Sequence, residues 1–443
     1  MTNAKGVKMT DPTQVPDGTP RLTVVSGDSH VGPRLTDDLR QFCPQKYLEE
    51  FDRFTAASID TLDEAVSAVV GKSTQASEVI FARTLLNRNT AGHYDIDTRI
   101  REMDWDGIAA EVIFHGSVNT EVFPFAGTRE WSRVETGRDL ELLAVGYRMY
   151  NRWLSEFVSV QPERHIGLAY VPMWDVDLAL AEVEFAAGAG LRGVNFPVPR
   201  EGIAEYDDPS WEPLWSACED FGLNLVTHCG VDGHRCFGPQ QFAMTMIEGA
   251  GWPARRGMHR LIFGGVFERH PGLKLVLTEF ARGWWNSTMR ELDSVYASPS
   301  EALRRQVPRN PSEYMKENVF IGASFMPPSE VHEAMADGYA DRVIWGRDYP
   351  HGEGTYKYPE SDDEESQTRR YLRWAFAGCP LEVAQDMLSE TAIRAYGLDR
   401  EALAAVAARI GPTPDEVIAP LNDVPDHWAP NLVDLQTGEM AGI

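Results

Sequence analysis

Cysteine is scarce in this chain: Cys43, Cys218, Cys229, Cys236 and Cys379 are the five in 443 residues. An odd, widely spaced set argues against a disulfide framework and suits a reducing cytoplasm. Long hydrophobic runs are lacking too, and no stretch approaches the ~18 apolar residues of a membrane span. Residues 1–20 are polar and have no apolar centre of the signal-peptide kind. Basic side chains are outnumbered, 41 Lys and Arg against 67 Asp and Glu, for a net charge of −26. So acidic a chain repels phosphate backbones and anionic lipid, which argues against nucleic-acid and membrane partners and leaves a small-molecule substrate. No Gly-x-Gly-x-x-Gly follows the first strand, so a dinucleotide-binding sheet is not the first choice. Hydrophobic residues at 43% and charged ones at 24% exclude wholesale disorder.

What is present is a rhythm of short apolar strands and amphipathic helices. Residues 1–20 read as a loose tail and 21–400 as one domain, with a C-terminal helical extension over 401–443. Strands are expected near Leu22, Ala110, His165, Gly193, Asn224, Lys274, Val319 and Arg342. Helices are expected at Arg99–Asp106 with Gly107 as stop, Asp139–Val160, Asp175–Ala189, Pro209–Phe221, Gln241–Ala250, Trp284–Val295, Pro328–Asp337, Ser366–Phe376 and Leu381–Ala395. Repeated strand–helix units mean parallel strands, and eight of them suggest an α/β fold of the distorted (β/α)8 barrel type. The stretch 35–91 breaks the rhythm. It reads as an insertion, partly helical around Leu62–Val70, lying near one mouth of the barrel. The acidic cluster Glu360–Glu365 reads as a solvated loop.

In such a barrel, reactive side chains stand at the C-terminal ends of strands. The first strand ends in Asp28-Ser29-His30, whose alternate residues share one side. The second ends in His115, the fifth in His228 and the sixth in Glu279; Asp348 and His351 follow the eighth. These are metal-ligand types gathered from five strand ends, and they describe a nitrogen- and oxygen-rich metal site of Asp28, His30, His115, His228, Glu279 and Asp348. Asp348, Glu279 and His351 are the candidates for acid–base work. Arg347, Asn195, Trp284 and Trp345 are candidates for binding substrate. The remaining histidines fall on helices or loops or, like His165, at the wrong end of a strand.

The motifs VVSGDSH (Val24–His30), MDWDGIAAEV from Met103, YNRWLSEF from Tyr150, THCG from Thr227, LTEFARGWW from Leu277 and VIWGRDYPHGEGT from Val343 occur in order. Together they resemble the amidohydrolase-related family, which includes metal-dependent decarboxylases and small hydrolases. The resemblance spans roughly residues 20–400. It implies a divalent metal, zinc or manganese, at the barrel mouth, with Asp28 and His30 as the first-strand pair, His228 as the fifth-strand histidine and Asp348 beside the metal or its water. It also favours a homodimer. Three features depart from the family pattern: His30-Val31-Gly32-Pro33 stands where a His-x-x-Glu-Pro setting often occurs, Asn195 where a carbamate lysine can lie, and His115 at an unexpected strand end.

Two chemistries follow. The first is metal-dependent hydrolysis or non-oxidative decarboxylation of a small, carboxylate-bearing substrate, with Arg347 or His351 steering its anionic group. The alternative is a dinuclear non-haem iron monooxygenase that uses His115 for a second ion. Its apolar pocket would be lined by Trp284, Trp285, Phe325, Met326 and Trp345.

Overall fold

Nine short parallel strands form one sheet that wraps into a barrel in the computed structural model, which describes residues 18–58, 75–126, 138–199, 202–228, 252–279, 283–324, 326–361, 364–425, 432–434 and 439–440. The strands β1 (Val25–Ser26) and β2 (His30–Val31) both pair with β3 (Ala110–His115), so they make one interrupted stave. Next come β4 (His165–Tyr170), β5 (Gly193–Asn195), β6 (Asn224–His228), β7 (Leu275–Thr278), β8 (Val319–Gly322) and β9 (Val343–Ile344), each beside its predecessor. A parallel bridge between Ser29 and Tyr349 brings the last stave against the first. Beside it, Gly27 N–H donates to the Trp345 carbonyl at 2.7 Å and Asp348 N–H to the Asp28 carbonyl at 3.1 Å. The expected eight-stave (β/α)8 barrel is therefore the fold.

Both faces of each strand are apolar because both are covered, the signature of parallel sheets. Val25, Val112, Phe114, Val226, Val276 and Ile344 fill the barrel interior. Their neighbours Ile113, Leu225, Leu277, Ile321, Val343 and Trp345 pack outward into the large cluster under the helices. The helices Thr391–Tyr396 and Arg400–Ile410 add Ala395, Tyr396, Leu403 and Ile410 to the interior cluster. They sit at the strand starts, where the Asn224 amide donates to the Ala395 carbonyl at 2.8 Å and Lys274 Nζ to the Arg394 carbonyl at 2.6 Å. That end is plugged, and the other is left for the site.

Helix boundaries follow local chemistry. The Asp175 side chain caps Val176–Gly188 by accepting from Leu178 N–H, and Gly107 stops Ile96–Asp106 with φ 81°. Leu381–Ala395 is not the continuous helix expected. It widens into a π turn over Asp386–Glu390, where the Met387 carbonyl accepts from Trp345 N–H at 2.9 Å and so continues the strand edge. The expected helices Leu62–Val70 and Gln241–Ala250 lie outside the described residues. The described part of the insertion holds the helices Leu48–Ser58 and Gln75–Asn87. Asn87 donates to the carbonyls of Pro350 (2.8 Å) and Tyr356 (3.1 Å), and Arg83 to that of Gly354 (2.6 Å). The insertion thus grips the loop after β9, at the barrel mouth. In the C-terminal segment, Val417 joins the large cluster and Leu432 packs with Tyr371, so both lie on their own chain.

Candidate metal centre

Alternation and two backbone kinks decide which side chains meet at the mouth. On β6, Val226 faces the interior, so His228 two residues on does too. On β7 the alternation would turn Glu279 outward with Leu277. Glu279 instead takes a left-handed backbone, φ 60°, and is turned back toward His228. Asp348, which alternation from Ile344 already brings inward, also has a left-handed backbone, φ 49°, after Gly346 lets the last stave pass close to Asp28. A Cβ on Gly346 would sit 2.1 Å from the Ala323 carbonyl oxygen and 3.0 Å from Asp28 Cβ. Left-handed carboxylate residues of this kind store strain, and strain of that sort gathers at functional sites.

Asp28, His30 and His228 offer ligand atoms within 4.8 Å of one another, as do His30, Asp348 and His351, and Glu279, Asp348 and Glu353. His30 Nδ1 faces the His115 carbonyl at 3.1 Å and must donate to it, because a carbonyl only accepts. The opposite nitrogen, Nε2, is buried with no hydrogen-bond partner. It lies 3.2 Å from Asp28 Oδ1 and 3.3 Å from Asp348 Oδ1. A buried imidazole nitrogen set between two carboxylates is stable with a proton or a metal cation among them. His228 Nε2 lies 3.5 Å from both Asp28 Oδ2 and Glu279 Oε2. The Ser324 hydroxyl donates to Asp28 Oδ2 and fixes that carboxylate. Burial raises the Asp28 pKa, but His228 and His30 outweigh it and hold the carboxyl well below its usual range. His351 stacks on His30 with centroids 4.1 Å apart. Its Nδ1 is 2.9 Å from Asp348 Oδ1, and its Nε2 donates to the Gly116 carbonyl at 2.9 Å. Burial opposes its charge, but the Asp348 carboxylate prevails and raises its pKa well above the ordinary value.

Four expected residues lie elsewhere. His115 shares the outward face of β3 with Ile113, because Val112 and Phe114 point in. Its ring packs edge-on to Phe123 and Tyr150 at 4.9 and 5.4 Å. Burial, with His30 adding to it, pushes its pKa down to about 3. His115 is in none of the described ligand groups, and its backbone carbonyl is what serves the centre. Arg347 shares the outward face of Trp345 and does not steer substrate. It is fully buried, 2.7 Å from Asp106 and 2.9 Å from Glu111. Trp345 and Trp284 belong to the large outer cluster, Trp284 lying 5.6 Å from Trp285 between ring centroids. Asn195 ends β5 beside Val226 and keeps the inward register. Sequence reasoning missed Glu353. Its signal was an acidic residue two positions past His351.

A 2-amino-3-carboxymuconate-6-semialdehyde decarboxylase of Dictyostelium discoideum is 26% identical over 266 residues, covering 58% of this chain and 67% of that one. A gamma-resorcylate decarboxylase of Polaromonas sp. is 24% identical over 275 residues, covering 57% and 76%. The fold is shared with a 5-carboxyvanillate decarboxylase of Novosphingobium aromaticivorans, whose structure holds manganese. That match has TM-score 0.57 and 18% identity and covers 88% of this chain and all of that one, 100%. The amidohydrolase family profile matches residues 95–398, well over half of the sequence, and the chain belongs to the amidohydrolase family.

Proposed function

We propose that this protein is a divalent-metal-dependent decarboxylase of a small carboxylate-bearing aromatic or unsaturated substrate. The observation that carries the proposal is the buried, unpartnered His30 Nε2 set between two carboxylates at the barrel mouth. Asp28, His30, His228 and Asp348 would hold the ion, and their mixed nitrogen and oxygen donors suit manganese or zinc. Bound there, a divalent ion supplies Lewis-acid charge for a substrate carboxylate and a neighbouring oxygen.

The chain's own residues do the rest. His115 fixes the His30 tautomer through its carbonyl, and Ser324 fixes the Asp28 carboxylate. His351 holds Asp348 through the same carboxylate oxygen that faces His30. Glu279, 21% exposed at the rim, is the proton donor we assign. As a carboxylic acid it gives its proton to the carbon that bears the substrate carboxylate, and the new C–H bond takes its electron pair from the adjacent C=C π bond. The C–C bond then breaks, its electron pair re-forms that π bond, and carbon dioxide leaves. The resulting Glu279 carboxylate takes its next proton from water.

The relatives reported are named for decarboxylation, which favours it over hydrolysis. The monooxygenase alternative loses its expected lining. Trp284, Trp285, Met326 and Trp345 belong to the outer core cluster, and Phe325 lies outside the described residues.

The test is carbon dioxide release by the full-length protein supplied with Mn2+ and a panel of hydroxylated benzoates and carboxymuconate semialdehydes. Release that stops on chelation and returns with Mn2+ is expected. Turnover of esters, amides or lactones with no carbon dioxide from any carboxylated compound would contradict the proposal.

A further inference from the structure

Among the described residues, the buried asparagines are Asn87, Asn151, Asn195, Asn224 and Asn318. All but Asn195 serve the fold. Asn87 donates to the Pro350 and Tyr356 carbonyls, and Asn151 to the Tyr170 carbonyl and the Glu182 carboxylate. Asn224 donates to the Ala395 carbonyl, and Asn318 to the Pro271 and Leu273 carbonyls. The Asn195 amide makes no hydrogen bond to any described residue, although the residue is only 5% exposed. A buried amide without a partner is costly and rare. Its place in the barrel says where a partner enters. Asn195 is in register with the interior Val226, and His228 lies two residues further along that same face. With strands ~4.8 Å apart and a rise of ~3.3 Å per residue, the Cα atoms of Asn195 and His228 are about 8 Å apart. Below Asn195 the barrel is filled. A Cβ on Gly193, two residues back, would sit 2.8 Å from Leu168 Cδ2 and 3.5 Å from Val226 Cγ2. The amide therefore opens toward the mouth, beside the metal centre. Phe114, its ring centroid 4.8 Å from that of His228, adds an apolar surface for a flat substrate.

We propose that Asn195 determines substrate specificity by hydrogen-bonding a neutral polar substituent, a hydroxyl or an amino group, at a position other than the carboxylate held by the metal. An uncharged amide with one acceptor oxygen and two N–H donors matches such a group, whereas an anionic group is better served by the metal. The inference rests on the reading of the mouth as a metal centre for a carboxylate-bearing substrate, and it adds that the substrate carries this second polar group. A substrate lacking it covers the mouth and leaves the amide buried and unpaired. That costs on the order of 10- to 100-fold in binding.

The experiment is calorimetric binding to full-length, Mn2+-loaded wild type, Asn195→Leu and Asn195→Ala. The probes are 2-hydroxybenzoate, its four derivatives with a second hydroxyl at each ring position in turn, and the matching amino-2-hydroxybenzoates. At least one disubstituted probe should bind wild type on the order of 10- to 100-fold more tightly than 2-hydroxybenzoate. That advantage should disappear in both variants, while their affinity for 2-hydroxybenzoate and their bound Mn2+ stay at the wild-type level. Circular dichroism checks the folding of each variant, and the second guards against one that fails to fold. A preference that survives in either folded variant overturns the proposal, as does a wild type that binds every probe alike. Carbon dioxide release is followed with the same probes. Selective binding governed by Asn195 without any release contradicts the decarboxylase reading and leaves the role of Asn195 standing. Failure of wild type to bind any probe overturns both.

Discussion

Glu279 is turned to the barrel mouth by a left-handed residue just past a strand end, and Asp348, inward by alternation, shares that backbone conformation. For a non-glycine residue that conformation costs on the order of 1–3 kcal/mol, and surrounding packing must hold it. His115 and Arg347 have no such kink and obey plain alternation, which turns them out of the barrel. This is why residue types at strand ends were legible in the sequence while their directions were not. Both faces of these strands are apolar, so hydrophobicity cannot mark the inner face, and a positive φ at a glutamate or an aspartate leaves no compositional trace. His228, two residues after the interior Val226, needs only alternation to face the mouth. The placement of His115 yields a prediction. His115→Phe should keep the full metal complement and a thermal midpoint within a few degrees of wild type, since an aromatic ring replaces a ring among Phe123 and Tyr150. Loss of bound metal in this variant would show that the imidazole itself is a ligand.

At the scale of elements, a buried ionic lattice ties the helix Ile96–Asp106 to β3 and to the turn after β9. Arg99 lies 2.6 Å from Glu111, and Arg347 lies 2.9 Å from Glu111 and 2.7 Å from Asp106. Arg99 also donates to the His30 carbonyl at 2.7 Å, so the lattice props the backbone of a metal-site residue. Burial would raise the Glu111 pKa, but Arg99 and Arg347 outweigh it and hold the carboxyl at about 2, against an ordinary 4.5. Between those two values the unfolded chain binds the proton that the folded chain refuses. The stabilisation is therefore complete above pH 4.5 and is lost as pH falls toward 2. Unfolding free energy followed by denaturant titration should drop over that acid window more steeply in wild type than in Glu111→Gln. Equal slopes would deny Glu111 this role. At neutral pH, Glu111→Ala strands two buried guanidinium groups and should cost about 3–5 kcal/mol. The sequence shows these charges but not their pairing, because Arg347 lies 236 residues from Glu111.

For the whole molecule, the strand–helix rhythm made the barrel legible before any coordinates, since each repeat announces a parallel stave. Three larger features were not legible. The Arg400–Ile410 helix, expected as an extension, packs into the strand-start plug. The insertion grips the mouth loop through Asn87 and Arg83. The loop so held carries His351 and Glu353 into the charge cluster. All three depend on contacts between segments far apart in the chain, which local patterning does not encode. The barrel is thus closed at one end and builds a metal centre at the other, and that centre is the core of the account. Elemental analysis of full-length wild type and His228→Ala, with far-ultraviolet circular dichroism as a check on folding, tests it most directly. The account predicts that the folded variant holds one divalent ion per chain fewer than wild type. A folded His228→Ala protein with the full wild-type complement of metal would contradict it.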